Sequence, residues 1–152
     1  MDQSALKERI LTLVPKAEYQ ENKQFLTFVI PPDQLHELAL HLRNDADFAF
    51  DYLFCLSGVD RVNVLEVVYH LESTIHKHQL VLKVRTSDRE NGAFETVCDI
   101  WRTAELHERE VFDLFGIRFN NHPDLRRFFL DENWVGHPLR KDYKDEINII
   151  EL

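Results

Sequence analysis

Three runs rich in strand-forming residues, Tyr52 to Val59, Val62 to Leu71 and His76 to Arg85, follow one another with only Asp60-Arg61 and Glu72-Ser73-Thr74 as links. A parallel neighbour needs a crossover of about a dozen residues, so links this short oblige each run to fold back antiparallel to the one before it. In the third run Leu80, Leu82 and Val84 alternate with Val81, Lys83 and Arg85. That period of two marks a sheet with one buried face and one wetter face.

Helices must cover the buried face. Leu6, Ile10, Leu13 and Val14 share one face of a helix that Pro15 stops. The run Phe25 to Ile30 reads as a strand closed by Pro31-Pro32. A second helix starts near Pro32 and Asp33 and carries Leu35, Leu38, Ala39 and Leu42 on one face. Phe94 to Ile100 adds a short strand, and Thr103 to Phe115 reads as a third helix. Thr103 suits its N-cap, Glu105 its positive end, and Gly116 a left-handed stop. The order α-β-α-β-β-β-(β)-α implies an α+β fold, one domain of helices packed on a mostly antiparallel mixed sheet. Residues 1–120 form its core, and 121–152 an extended, irregular, Arg-rich docking segment of the same domain.

The formal net charge of -9 disfavours nucleic acid and anionic lipid as partners. No run approaches the roughly 18 to 20 apolar residues that span a bilayer, and the opening MDQSALKERI is amphipathic rather than a signal peptide, so a soluble cytosolic chain is expected. Cys55 and Cys98 lie too far apart in sequence for cluster, zinc or dithiol spacing and read as reduced core thiols. His76 and His78 would share a strand face, but spacing offers no third ligand, so no metal site is expected. There is no Gly-rich phosphate loop and no nucleophile-histidine signature, which leaves a free-standing enzyme without machinery.

The densest information lies between Thr103 and Tyr143. Glu105, Arg109 and Asp113 are spaced by four and fit a surface ladder. Glu108 shares a face with Val111, Phe112 and Phe115, so its carboxylate requires a partner. Arg126, Arg127 and Arg140, the last beside Lys141, are the cations that could clamp it, within the chain or across an interface. Glu108 and Glu110 diverge on the helix and cannot flank one small substrate. His122 and His137, each before a proline, are expected to hold their turns by hydrogen bonds. Trp101 and Trp134 suit either core or interface.

Three linked motifs carry a family resemblance. They are E-R-E-x-x-D-L-F-G-I (Glu108, Arg109, Glu110, Asp113, Gly116), H-P-D-L-R-R (His122, Pro123, Asp124, Arg126, Arg127), and W-x-G-H-P-L-R-K-D-Y (Trp134, Gly136, Pro138, Arg140, Lys141, Asp142, Tyr143). In this order they closely resemble the signature region of the C subunit of respiratory complex I, NADH:quinone oxidoreductase. The upstream strands, and Ser87-Asp88 followed by Asp99-Ile100-Trp101, extend the likeness over most of the chain. Leu106 and Lys144 stand where members of that family often carry an aromatic and a proline.

The resemblance implies a non-catalytic scaffold in the peripheral arm of a complex that passes electrons from NADH to quinone and moves ions. Flavin, iron-sulfur clusters and quinone would then belong to partner subunits, with no cofactor in this chain. The implied partners are the D subunit and neighbouring iron-sulfur subunits, on the cytoplasmic side of the cell membrane. The equivalent subunit of a membrane-bound hydrogenase, a formate hydrogenlyase or a ferredoxin-dependent quinone reductase would carry similar motifs.

Overall fold

The meander forms as its short links require. In the computed structural model, which describes residues 2–144, β3 (Tyr52–Asp60), β4 (Leu65–Ser73) and β5 (His78–Thr86) pair antiparallel. They are preceded by β1 (Glu18–Gln20) and β2 (Thr27–Val29), and the five-stranded sheet runs β1-β2-β5-β4-β3. Among the described residues only the β2-β5 pair of this sheet is parallel, which makes it mixed and mostly antiparallel.

Val67, Tyr69 and Leu71 of β4 and Leu80, Leu82 and Val84 of β5 all turn into the core. Helices α1 (Gln3–Leu13) and α2 (Leu35–Asn44) add Leu6 and Ile10, and Leu35, Leu38, Ala39 and Leu42, to that core. A 3-10 turn at Pro32–Gln34 leads into α2. On the other face, buried Glu66 lies between Arg61 and Arg85, and Phe25 and Phe54 flank His70.

Several expectations need correction. Leu13 is exposed at the last turn of α1. The strand expected at 25–30 shrinks to Thr27–Val29, and β1 leaves no signal in the sequence because Glu-Tyr-Gln has almost no apolar pattern; its backbone pairs on an edge instead. Val62 belongs to a turn, not to a strand, and adopts φ 72, unusual for a β-branched residue, with its N–H donated to Asp60. His76 sits in the β4-β5 turn; it and His78 bond the carbonyls of Ala46 and Phe48 through Nε2. Cys55 and Cys98 are free but only half-buried.

The third helix, α3 (Ala104–Phe115), lies on β3. Thr103 does not cap it; its hydroxyl donates instead to Leu53 O on β3. Trp101, just upstream, is core, and its indole donates to Phe50 O. Beyond α3, β7 (Arg118–Asn120) pairs in parallel with β6 (Ala93–Glu95) as a separate two-stranded sheet. The sequence places 121–152 after this core, and residues 145–152 lie outside the described residues.

Gly58 sets how closely α3 approaches β3, since an added Cβ there would lie 2.6 Å from the Phe115 ring. Gly58→Ala should therefore destabilise the chain by about 1 to 3 kcal/mol through overpacking, read from urea unfolding. No loss would mean that Phe115 swings aside freely.

Candidate functional site

Helix α3 is buried on more than one side, and its second buried side organises the segment that follows. Asp113 is 0% exposed. Its Oδ2 accepts the backbone N–H groups of Phe128, Phe129 and Leu130 at 3.2, 2.8 and 3.1 Å, and its Oδ1 accepts Arg127 Nη1 at 2.9 Å. Burial alone would raise its pKa, but the three amides and the guanidinium outweigh that and hold the carboxyl below its ordinary range.

Arg109, one turn earlier on α3, complements this cradle by donating to the carbonyls of Arg126 and Arg127. Arg127 continues outward to Gly136 O at 2.8 Å, and His137 Nδ1 donates to Asp113 O at 3.0 Å. The expected surface ladder of Glu105, Arg109 and Asp113 is therefore not formed. Arg109 and Asp113 are buried beneath residues 126–137, because fixing irregular backbone needs one donor and one acceptor of this kind.

The glycines of the motifs are needed for the same docking. Gly116 ends α3 at φ 76, and a Cβ there would lie 2.7 Å from His137. Gly136 has φ 89, and a Cβ would lie 2.9 Å from Tyr143.

A second anchor holds the far end. Asp60 takes a bidentate pair from Arg89, both distances 2.7 Å, and also the Lys141 amide at 2.8 Å. These bonds, with Arg89 first, hold its carboxyl far below the usual range. Arg140 bonds Arg89 O and forks onto Asp142. Arg127 and Arg140 are thus used inside the chain. Arg126 bonds the exposed Asp124, and the side chain of Lys141 is exposed. Pro123 is exposed and Pro138 half-buried.

What this segment turns outward is apolar. Phe128, Phe129, Trp134, Val135 and Leu139 are exposed, Phe129 by 60% and Val135 by 88%. Glu110 is half-buried and makes no ion pair among the described residues.

Glu108 is the other correction. It is 0% exposed, as its helical face implied, but among the described residues no arginine forms an ion pair with it. The Thr96 hydroxyl and the Val97 amide donate to it instead, and His122 Nε2 lies 3.9 Å away. His122 holds its turn as expected, donating from Nε2 to Glu105 O and accepting Asp124 N–H at Nδ1. Among the described residues, Cys98, Glu108 and His122 form one group whose potential ligand atoms all come within 4.8 Å of one another. Sequence spacing could not show it, because the three come from a turn, a helix and a loop.

Residues 28–147 match the family described as respiratory-chain NADH dehydrogenase, 30 Kd subunit. The chain belongs to that family. It is 47% identical over 124 residues to the C/D subunit of the NADH-quinone oxidoreductase of Phocaeicola vulgatus, covering 81% of this chain but only 24% of that one. The chain therefore matches about a quarter of the length of its C/D relatives. To the NADH-quinone oxidoreductase C subunit of Chlorobium phaeobacteroides it is 45% identical over 119 residues, covering 76% of this chain and 71% of that one. Its fold is shared, at TM-score 0.73 and 24% identity over 95% of this chain and 86% of the other, by a chain of the membrane-bound sulfane sulfur reductase, an archaeal respiratory membrane complex. The cradle described above lies within the residues matched to the 30 Kd subunit family.

The enclosed Glu108 gives the fold a pH dependence. Burial drives its carboxyl from 4.5 up to about 7, against the Thr96 and Val97 bonds that lower it. The folded chain then holds this proton more tightly than the unfolded chain, so the associated stability is complete below about pH 4.5 and is lost as pH rises through about 7. That difference corresponds to about 3 kcal/mol. His70, lowered by burial and then by Lys83, contributes with the opposite sign. In chelator-treated protein unfolded in urea at pH 5 and pH 8, Glu108→Gln should remove a fall of about 2 to 3 kcal/mol that the unaltered chain shows relative to it. An equal pH response in both would place the titration elsewhere.

Proposed function

We propose that this chain is a non-catalytic scaffold subunit in the peripheral arm of a proton-translocating NADH:quinone oxidoreductase. It docks the D subunit and neighbouring iron-sulfur subunits, while flavin, clusters and quinone reside in those partners. The observation that carries this reading is the segment 126–143, whose irregular backbone is tied down internally by Asp113, Arg109, Arg127 and Asp60 while its apolar side chains face outward. A surface ordered before contact loses less conformational entropy on binding. Large apolar side chains of this kind supply the anchors of interfaces.

The D subunit as partner is supported by the relatives that bear the joint designation C/D, which couples the two subunits in one name. A peripheral position on the cytoplasmic side of the membrane fits the parent complex, and among the described residues no helix is long and apolar enough to cross a membrane. The shared fold in a sulfane sulfur reductase complex favours a second reading, the equivalent subunit of a related respiratory machine such as a hydrogenase or a ferredoxin-dependent quinone reductase. Identities of 45 to 47% to NADH-quinone oxidoreductase relatives, against 24%, favour the first.

Replacing Phe129 and Val135 together with serine removes two exposed anchors while the Phe129 N–H stays on Asp113 and Phe128, whose ring Arg109 overlies at 5.3 Å, is left in place. The assembled fraction on a native gel should fall. Quinone reductase activity per assembled copy should stay near normal. Normal assembly with activity per complex reduced by roughly a hundredfold, the size of loss expected for a removed catalytic group, would contradict the scaffold reading.

A further inference from the structure

We propose that Cys98, Glu108 and His122 form a binding site for a thiophilic divalent cation, of which Zn²⁺ is the type. The site lies outside residues 126–143, on which the docking reading rests, and Zn²⁺ has no redox chemistry. The Cys98 sulfur, a Glu108 carboxylate oxygen and a His122 ring nitrogen lie within 4.8 Å of one another, close enough to converge on one ion. The side chains of Glu108 and His122 are both 0% exposed.

The charges point to a cation. Among the described residues no lysine or arginine pairs with the enclosed Glu108, and the carboxylates of Asp99 and Glu95 act on it from nearby. Glu95, Asp99 and Glu105 also line, with Cys98, a cavity of about 390 Å³ beside the cluster. Arg102 is the cation on that wall, and it makes no ion pair among the described residues. A dication held by one thiolate, one carboxylate and one neutral imidazole leaves no net charge in the interior. The mixture of sulfur, nitrogen and oxygen ligands suits zinc rather than magnesium or calcium.

The surroundings are compatible with ligation. The Thr96 hydroxyl and the Val97 amide bond Glu108 and would orient its carboxylate as an outer shell. His122 would release the Glu105 carbonyl and the Asp124 amide, both at exposed positions where water replaces it. The cavity, which Cys98 lines, gives an entry path from that side. Binding releases the thiol proton of Cys98 and, where Glu108 is protonated, its carboxyl proton; at His122 the proton moves from Nε2 to Nδ1 on tautomerisation, with no net release from the ring.

The test uses the full chain, stripped with chelator and then titrated with Zn²⁺ alone by calorimetry and with Co²⁺ followed by absorption. One equivalent should bind, and Co²⁺ should give a thiolate-to-metal charge-transfer band. Cys98→Ser should abolish the band and weaken Zn²⁺ binding on the order of tenfold or more, His122→Gln should weaken it similarly, and Cys55→Ser should change neither. In the unaltered chain, where folding of a variant is not in question, Zn²⁺ should slow alkylation of Cys98 but not of Cys55. Absence of saturable binding, a band that survives Cys98→Ser, or equal protection of both thiols would overturn the site.

Discussion

The structure after α3 depends on one buried carboxylate. Asp113 collects three successive amides and a guanidinium, and so replaces the ladder that a helix or a strand would have provided for the same backbone. Hydrogen bonds to a charged group contribute about 1.5 to 3 kcal/mol each, against a desolvation cost of several kcal/mol for the ion. Four such bonds are enough to keep the carboxylate charged. Its lowered pKa has that origin.

The arrangement works only because α3 is held in place first. Gly58 lets the helix come close to β3, Thr103 ties its start to Leu53, and Gly116 turns the chain under His137. The amide of Leu139 then returns to Leu114 O, and Lys141 reaches Asp60 at the end of β3. Both ends of the segment are thereby fixed to the sheet-bound core. Its middle shows Phe128, Phe129, Trp134 and Val135 to the outside. The apolar surface is carried on satisfied backbone, as the proposed docking role requires, and the arginines beneath it have an internal role.

Much of this is legible in the sequence, and the failures have physical causes. Link length obliges the β3-β4-β5 meander, and helical periodicity identifies every buried face residue of α2. β1 and β7 escape because short edge pairings are decided by backbone geometry and carry little side-chain pattern. A carboxylate clamped by a loop arginine is the right interaction for Asp113, but helical periodicity assigns it to Glu108. A helical wheel reports which residues share a face; it cannot report that α3 is covered on two faces, one by β3 and one by residues 126–137. Seen alone, Arg109 and Asp113 spaced by four look like a surface ladder. Only the path of the following loop reveals them as its supports.

Amide hydrogen exchange in the isolated chain tests the central claim most directly. If Asp113 orders residues 126–137 within the chain itself, the N–H groups of Phe128, Phe129 and Leu130 should exchange slowly, with protection approaching that of the β4-β5 amides. That protection should vanish in Asp113→Ala while the β4-β5 amides keep theirs. Exchange of these three amides at the rate of an open loop in the unaltered chain would contradict the account, since Asp113 would then not order the segment.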